Sequence, residues 1–180
     1  MSKYKLGEAK EVNGVTLFRV VALIAFSDVN IGGVGGWIEN ESNLSQTDDA
    51  WVWDDAQVSG NAQVSGNAQV SGNAQVSGNA QVLGNAQVLG NAQVSDDARV
   101  LGNAQVSDDA QVSKLVNTIH TNKYYISIGD THLQIGCKNY TFEEWKKFTD
   151  DEITKMDTGA LEWWRVHKPL IFIMIGEKNV

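Results

Sequence analysis

One cysteine and one proline in 180 residues leave out two of the usual means of stapling or breaking a chain. Cys137 has no partner for an internal disulfide. The start, MSKYKLGEAKEV, lacks the basic-then-apolar order of a secretory signal. Together these predict a reduced, cytoplasmic protein. Long apolar runs are missing too: the longest, Leu17 to Phe26 (interrupted by Arg19) and Leu170 to Ile175, are too short to cross a bilayer, so no membrane partner is expected. Positive charge is scarce where acid is dense. Of the net −8, residues 1–43 carry −1, residues 44–113 carry −7 and residues 114–180 carry zero. Arg99 is the only basic side chain in the acidic middle, which excludes a phosphate-neutralising face and direct nucleic-acid binding there.

What is present is a repeat. From Ala50 the hexad A-x-V-x-x-x recurs eleven times without a break, with Ala at every sixth position to Ala110 and Val at every sixth position from Val52 to Val112. Residues two apart on an extended chain face the same side, so Ala and Val point inward and the mostly Gln and Ser positions point outward. Every hexad but the last ends in Gly-Asn or Asp-Asp, residue types that tolerate left-handed backbone angles and form tight corners. So short a strand cannot bury itself, and successive turns must stack over one thin core. The hexad resembles the [LIV]-[GAED]-x-x-[STAV]-x repeat of left-handed β-helix proteins, as in Val58-Ser59-Gly60-Asn61-Ala62-Gln63, with Ser59 its one departure. In that family three hexads make a triangular coil. The resemblance therefore implies a left-handed parallel β-helix of about four coils, roughly 15 to 20 Å tall at the usual strand spacing.

With three hexads per coil the outer columns can be read directly. Trp51, Gln69, Gln87 and Gln105 share one face, Gln57, Gln75, Gln93 and Gln111 the second, and Gln63, Gln81 and Arg99 the third. Gln residues in register are expected to hydrogen-bond as ladders. Leu83 and Leu101 stack on the third face and Leu89 stands alone on the first. As outward leucines they are candidate binding residues, together with Arg99. The Asp pairs at 48–49, 54–55, 96–97 and 108–109 read as solvated corners near the ends of the stack, because no two fall on adjacent coils of one corner as a calcium site would require.

The open ends of such a stack need covers. Residues 1–36 are expected to form a β cap around the hairpin signal Val12-Asn13-Gly14-Val15, with the glycine-rich 31–37 as a flexible joint. The solenoid spans 37–113, including two degenerate hexads before a two-residue insertion. Residues 114–180 are expected to form a small α+β domain in the order ββαααβ. Its hairpin pairs Ile126 with Leu133 and Tyr124 with Ile135. Capping boxes at Thr141 and Thr149 start two helices, a third runs from Gly159 to His167 before Pro169, and 170–175 closes as a strand. Trp145, Trp163 and Trp164 read first as core. Trp163 and Trp164 are retained as a candidate ligand platform, and Cys137 is expected to be packed.

Beyond the hexad, the lead-in Leu17-Phe18-Arg19, Gly35-Gly36-Trp37-Ile38-Glu39, Ser42-Asn43-Leu44-Ser45 and Asp49-Ala50-Trp51-Val52 resemble the hexapeptide-repeat proteins of phages, prophages and enterobacteria called YdcK-like. The tail IGCKNYTFEEWKKF (135–148) with Ala160-Leu161-Glu162-Trp163-Trp164 is similar to the ending of phage-borne members. That resemblance implies architecture and origin but brings no established activity. The acyltransferases among left-handed β-helix proteins use a His base, and residues 44–113 contain no His, Lys, Cys, Glu or Tyr. The three histidines, His120, His132 and His167, lie outside the coils, and His132 and His167 are expected at the surface. The expectation is a non-enzymatic interaction protein without cofactor or metal, assembled as a homo-oligomer with a trimer favoured. The alternatives are an anti-defence inhibitor that binds a host protein or a small nucleotide, and an acyltransferase relative, which would have to bind acyl-CoA.

Overall fold

The structure, a computed structural model, describes residues 2–176. The N-terminal hairpin consists of β1 (Tyr4–Val12) and β2 (Val15–Ala22), turned at Asn13 and Gly14 with φ of 51° and 81°, the left-handed pair that a two-residue hairpin favours. Strand β3 (Val34–Ile38) pairs antiparallel with β2 and parallel with the first hexad strand of its own sheet. It thereby converts a hairpin into the first rung of a solenoid. The glycines of 31–37 are thus not a flexible joint. A Cβ on Gly35 would lie 2.5 Å from the Val52 carbonyl oxygen and 2.6 Å from a Val20 methyl. Only a bare backbone lets the cap approach the first coil this closely.

The hexads supply eleven two-residue strands, β4 (Trp51–Val52) through β14 (Gln111–Val112), one in each repeat. They stack in three parallel sheets, and each strand pairs with the one three hexads further on, as Gln87 does with Gln105. Above them Ile38 pairs with Val58 and Leu44 with Val64. These pairs exceed the three-hexad spacing by the two inserted residues, as the degenerate hexads require. No Ala or Val of the array's inward columns is more than 4% exposed. At roughly 25 cal/mol per Å² of buried apolar surface, such small side chains stabilise the stack only through repetition.

Four of the corners place Asp where the others place Gly, with φ of 52° to 60° at Asp48, Asp54, Asp96 and Asp108. The stacking explains two of them. A Cβ on Gly78 would come within 2.8 Å of the Asp96 backbone nitrogen in the coil below, whereas one on Gly102, in the last coil, meets nothing within 4 Å. Asp96 and Asp108 likewise occupy the final corners, where a side chain no longer collides with a further coil.

After the array come four antiparallel strands, β15 (Asn117–His120), β16 (Tyr125–Ile128), β17 (His132–Ile135) and β18 (Lys138–Thr141). Helices α1 (Phe142–Lys147), α2 (Asp150–Met156) and α3 (Ala160–Met174) follow. Both expected capping boxes form, at Thr141 with Glu144 and at Thr149 with Glu152. The order ββαααβ is corrected to ββββααα. The 170–175 segment is not a strand, because α3 runs through Pro169 and buries Ile171 and Phe172 beside Trp164. Burial of that face outweighs the local preference of proline to end a helix. The hairpin register also shifts by two residues: Ile126 pairs with Ile135 and Ile128 with Leu133, since the two-residue turn falls at Asp130-Thr131 rather than Gly129-Asp130, closed by the Gly129 amide donating to the His132 carbonyl at 3.0 Å.

Candidate functional site

The solenoid exterior is held by ladders at its corners rather than along its faces. Asn61 donates to Asn79 and Asn79 to Asp97; Asn67 donates to Asn85 and Asn85 to Asn103; Asn73 donates to Asn91 and Asn91 to Asp109, all at 3.0–3.1 Å. Among the described residues the expected Gln ladders reduce to one rung, Gln105 to Gln87 at 2.8 Å. The corner fixes the short Asn side chain directly above its neighbour, while the longer Gln retains rotamer freedom. Each ladder runs donor to acceptor in one direction. The acceptor-only carboxylates of Asp97 and Asp109 therefore suit the last position of theirs.

The candidate residues of the array are dispersed. Leu83, Leu89 and Leu101 are half-buried and Arg99 is exposed. Leu89 lines a shallow polar groove of about 350 Å³ with Trp53, Gln69 and Gln87 beneath the Ser27–Val29 loop. The Arg99 backbone receives the departing chain: its amide donates to the Lys114 carbonyl at 3.1 Å, and its carbonyl accepts from Val116 at 2.9 Å. Trp51, placed by its register on an outer face, is 1% exposed because Tyr4 and Phe26 cover it edge-on.

Both ends are closed by polar side chains that replace the missing coil. At the top, Lys3 is 2% exposed and its Nζ donates to the carbonyls of Thr47, Asp48 and Ala50 at 3.3, 3.3 and 2.9 Å. Burial lowers its pKa to about 8, against the pull of Asp48 and Asp49. The neighbouring Tyr4 hydroxyl donates to Leu44 O at 2.7 Å, and burial raises its pKa. Arg19 lies over the Trp37 ring at 4.3 Å, pairs with Asp55 at 3.1 Å and donates to Gly35 O. At the bottom, the β16–β17 face meets the last coil. Ser127 Oγ accepts from the Gln105 amide at 3.1 Å, Asp130 accepts from the Ser113 amide and hydroxyl at 2.6 Å each, and Asn139 donates to Ser107 O at 2.7 Å.

The C-terminal unit contains a cleft of about 230 Å³ between its sheet and α2–α3. Trp145, Trp163 and Trp164 all line it, and all are core residues at 2%, 7% and 4% exposure. The candidate platform formed by Trp163 and Trp164 is thus corrected: the two rings are walls, not an exposed surface. Trp145 Nε1 donates to Leu133 O at 2.6 Å and Trp163 Nε1 to Thr121 Oγ1 at 3.2 Å, which satisfies the buried indole donors. At the rim the Tyr124 hydroxyl donates to Asp157 at 2.6 Å, and Lys123 lies 3.5 Å from the same carboxylate. Tyr124's hydroxyl bond, then the Thr158 amide, lower the Asp157 pKa; burial, then the hydrogen bond to Asp157, raise that of Tyr124. Cys137 also lines the cleft and is exposed, not packed, because its strand has already turned at Gly136, φ 57°. His132 and His167 are half-buried and His120 is exposed; His167 stacks on Trp163 at 4.3 Å. Among the described residues no three His, Cys, Asp or Glu side chains gather as a metal site. Among them also, no helix is long and apolar enough to cross a membrane.

Periodic contacts between strands three hexads apart, closed by a sheet at each end, define a β-solenoid protein. The family model of the YdcK beta solenoid repeat matches the array at residues 56–72, 62–76, 68–84, 74–90 and 92–108, making this a β-solenoid protein with YdcK-like repeats. A search of curated proteins finds no match.

Covers at both ends were expected, but the cleft and the side chains that make the closures escaped the sequence because each depends on contacts between segments far apart in the chain. Lys3 gave no periodic signal. The only sign of the cleft was a small residue, Ala160, followed closely by two tryptophans.

Proposed function

We propose that this chain is a non-enzymatic structural and interaction protein of phage or prophage origin, working in the host cytoplasm as a homotrimer, with the solenoid as a stiff acidic frame and the C-terminal unit as the contact head. One observation carries the reading. On α3, Val166, Leu170, Ile173 and Met174 are 70%, 55%, 63% and 46% exposed at spacings of four, three and one, which set them on one side of the helix. A contiguous apolar stripe on a head whose opposite side closes the solenoid is a surface suited to another protein chain. Light scattering is expected to give three chain masses, and Leu170→Glu with Ile173→Glu to give one. A single chain mass for the natural sequence would count against the assembly. A second reading, an anti-defence inhibitor occupying a host immune protein or a small nucleotide signal, draws on the −7 carried by residues 44–113; its nucleotide form predicts a binding heat in calorimetry.

A further inference from the structure

We infer that the cleft of the C-terminal unit is a binding site for a small planar aromatic carboxylate, held against its indole walls with its anionic end toward Lys138. The volume sets the size. At about 230 Å³ the cleft exceeds the roughly 150 Å³ of an apolar cavity that accepts benzene, so a two-ring compound is the natural fit. The walls set the shape. Trp145 and Trp164 touch each other, with ring centroids 5.1 Å apart and planes inclined by 36°, and Tyr124 touches Trp163 edge-on at 4.8 Å, so each pair is a continuous aromatic wall against which a guest can lie. Aromatic walls in offset and edge arrangements favour a flat, polarizable guest.

Charge decides which end such a guest carries. Two ionised groups line the cleft, Asp157 and Lys138. Asp157 is already engaged, by the Tyr124 hydroxyl at 2.6 Å and by Lys123 at 3.5 Å. Among the described residues no ion pair engages Lys138. The lining therefore presents one unneutralised positive charge beside an apolar interior, which attracts a carboxylate and repels a cationic guest. The residues on the outward stripe of α3 do not line this cleft, so the site stands independently of the trimer.

Cys137 makes the test direct, because it is the chain's only cysteine and lies exposed on the cleft lining. The full-length protein is titrated with 1-naphthoate, and with uncharged 1-naphthylmethanol as its isostere, following Cys137 alkylation by iodoacetamide together with calorimetry. Saturable 1-naphthoate binding that slows alkylation severalfold is expected, and binding of the alcohol at least threefold weaker. Lys138→Gln should weaken 1-naphthoate about three- to fivefold, the scale of a half-exposed ion pair, and leave the alcohol unchanged. Ala160→Phe should fill the cleft and abolish both; because it could disturb folding, the Lys138→Gln comparison stands on its own. Absence of binding at millimolar 1-naphthoate, unprotected Cys137 at saturation, or equal loss of both ligands in Lys138→Gln would overturn the inference.

Discussion

At the residue scale the repeat is governed by which atoms a corner leaves facing the next coil. Gly78 and Gly102 have nearly the same backbone, φ 68° and 65°, but only Gly78 has a coil beneath it. Alanine at either position bears left-handed strain of about 1 kcal/mol. At Gly78 it adds overpacking of about 1–3 kcal/mol against backbone that cannot yield. Urea unfolding is expected to show Gly78→Ala clearly less stable than Gly102→Ala, and equal losses would remove the stacking account. Lys3 offers a second test at this scale. Its folded pKa, about 8, lies below the ordinary 10.5, so between these values the unfolded chain binds more protons than the folded one. Stability should therefore rise as pH increases from about 8 to 10.5, by at most about 3 kcal/mol. Tyr4 has the opposite sign: its raised pKa keeps the proton on the folded chain above pH 10, where stability falls again. Unfolding measured from pH 7.5 to 11 should show this rise and fall, and Lys3→Met should remove the rise.

At the element scale, tertiary burial overrode local preference wherever the two disagreed. Helix α3 continues through Pro169 because Ile171 and Phe172 complete the second core. The glycine-rich segment before Trp37 became a strand because β2 and a hexad strand flank it. By contrast, the Asn13-Gly14 hairpin and the two capping boxes formed where they were expected, since each is complete within a few residues. The junction of the last coil with the head depends on side chains acting as a substitute strand. Asp130 accepts two hydrogen bonds from Ser113, each 2.6 Å long. Removing a charged acceptor from a half-buried amide costs about 1–3 kcal/mol. Asp130→Ala is expected to lower stability by about that amount and to speed hydrogen exchange at the Ser113 amide; unchanged exchange there would show that the cap does not hold the edge.

At the scale of the whole molecule, a solenoid is a stack with two adhesive ends, and the flanking units close them with unlike chemistry: a buried amine and a β strand at the top, hydroxyl, amide and carboxylate side chains at the bottom. A fragment ending at Ser113 would leave the amides of Gln105 and Ser113 without Ser127 and Asp130. It should aggregate by edge pairing, and a soluble, monodisperse 1–113 fragment in light scattering would contradict this. The division between what was legible and what was not follows from range. The hexad register, the inward Ala and Val columns, the three faces and the two-residue insertion could all be read from the residues alone, because in a periodic stack one local pattern repeated eleven times is also the tertiary contact map. It took the folded chain to settle that Asn rather than Gln forms the ladders, that Lys3 lies buried over the first coil, and that Trp163 and Trp164 wall a cleft with an exposed Cys137 beside it. Those outcomes depend on side-chain length at a corner and on contacts between distant, non-repeating segments, and no periodicity encodes either.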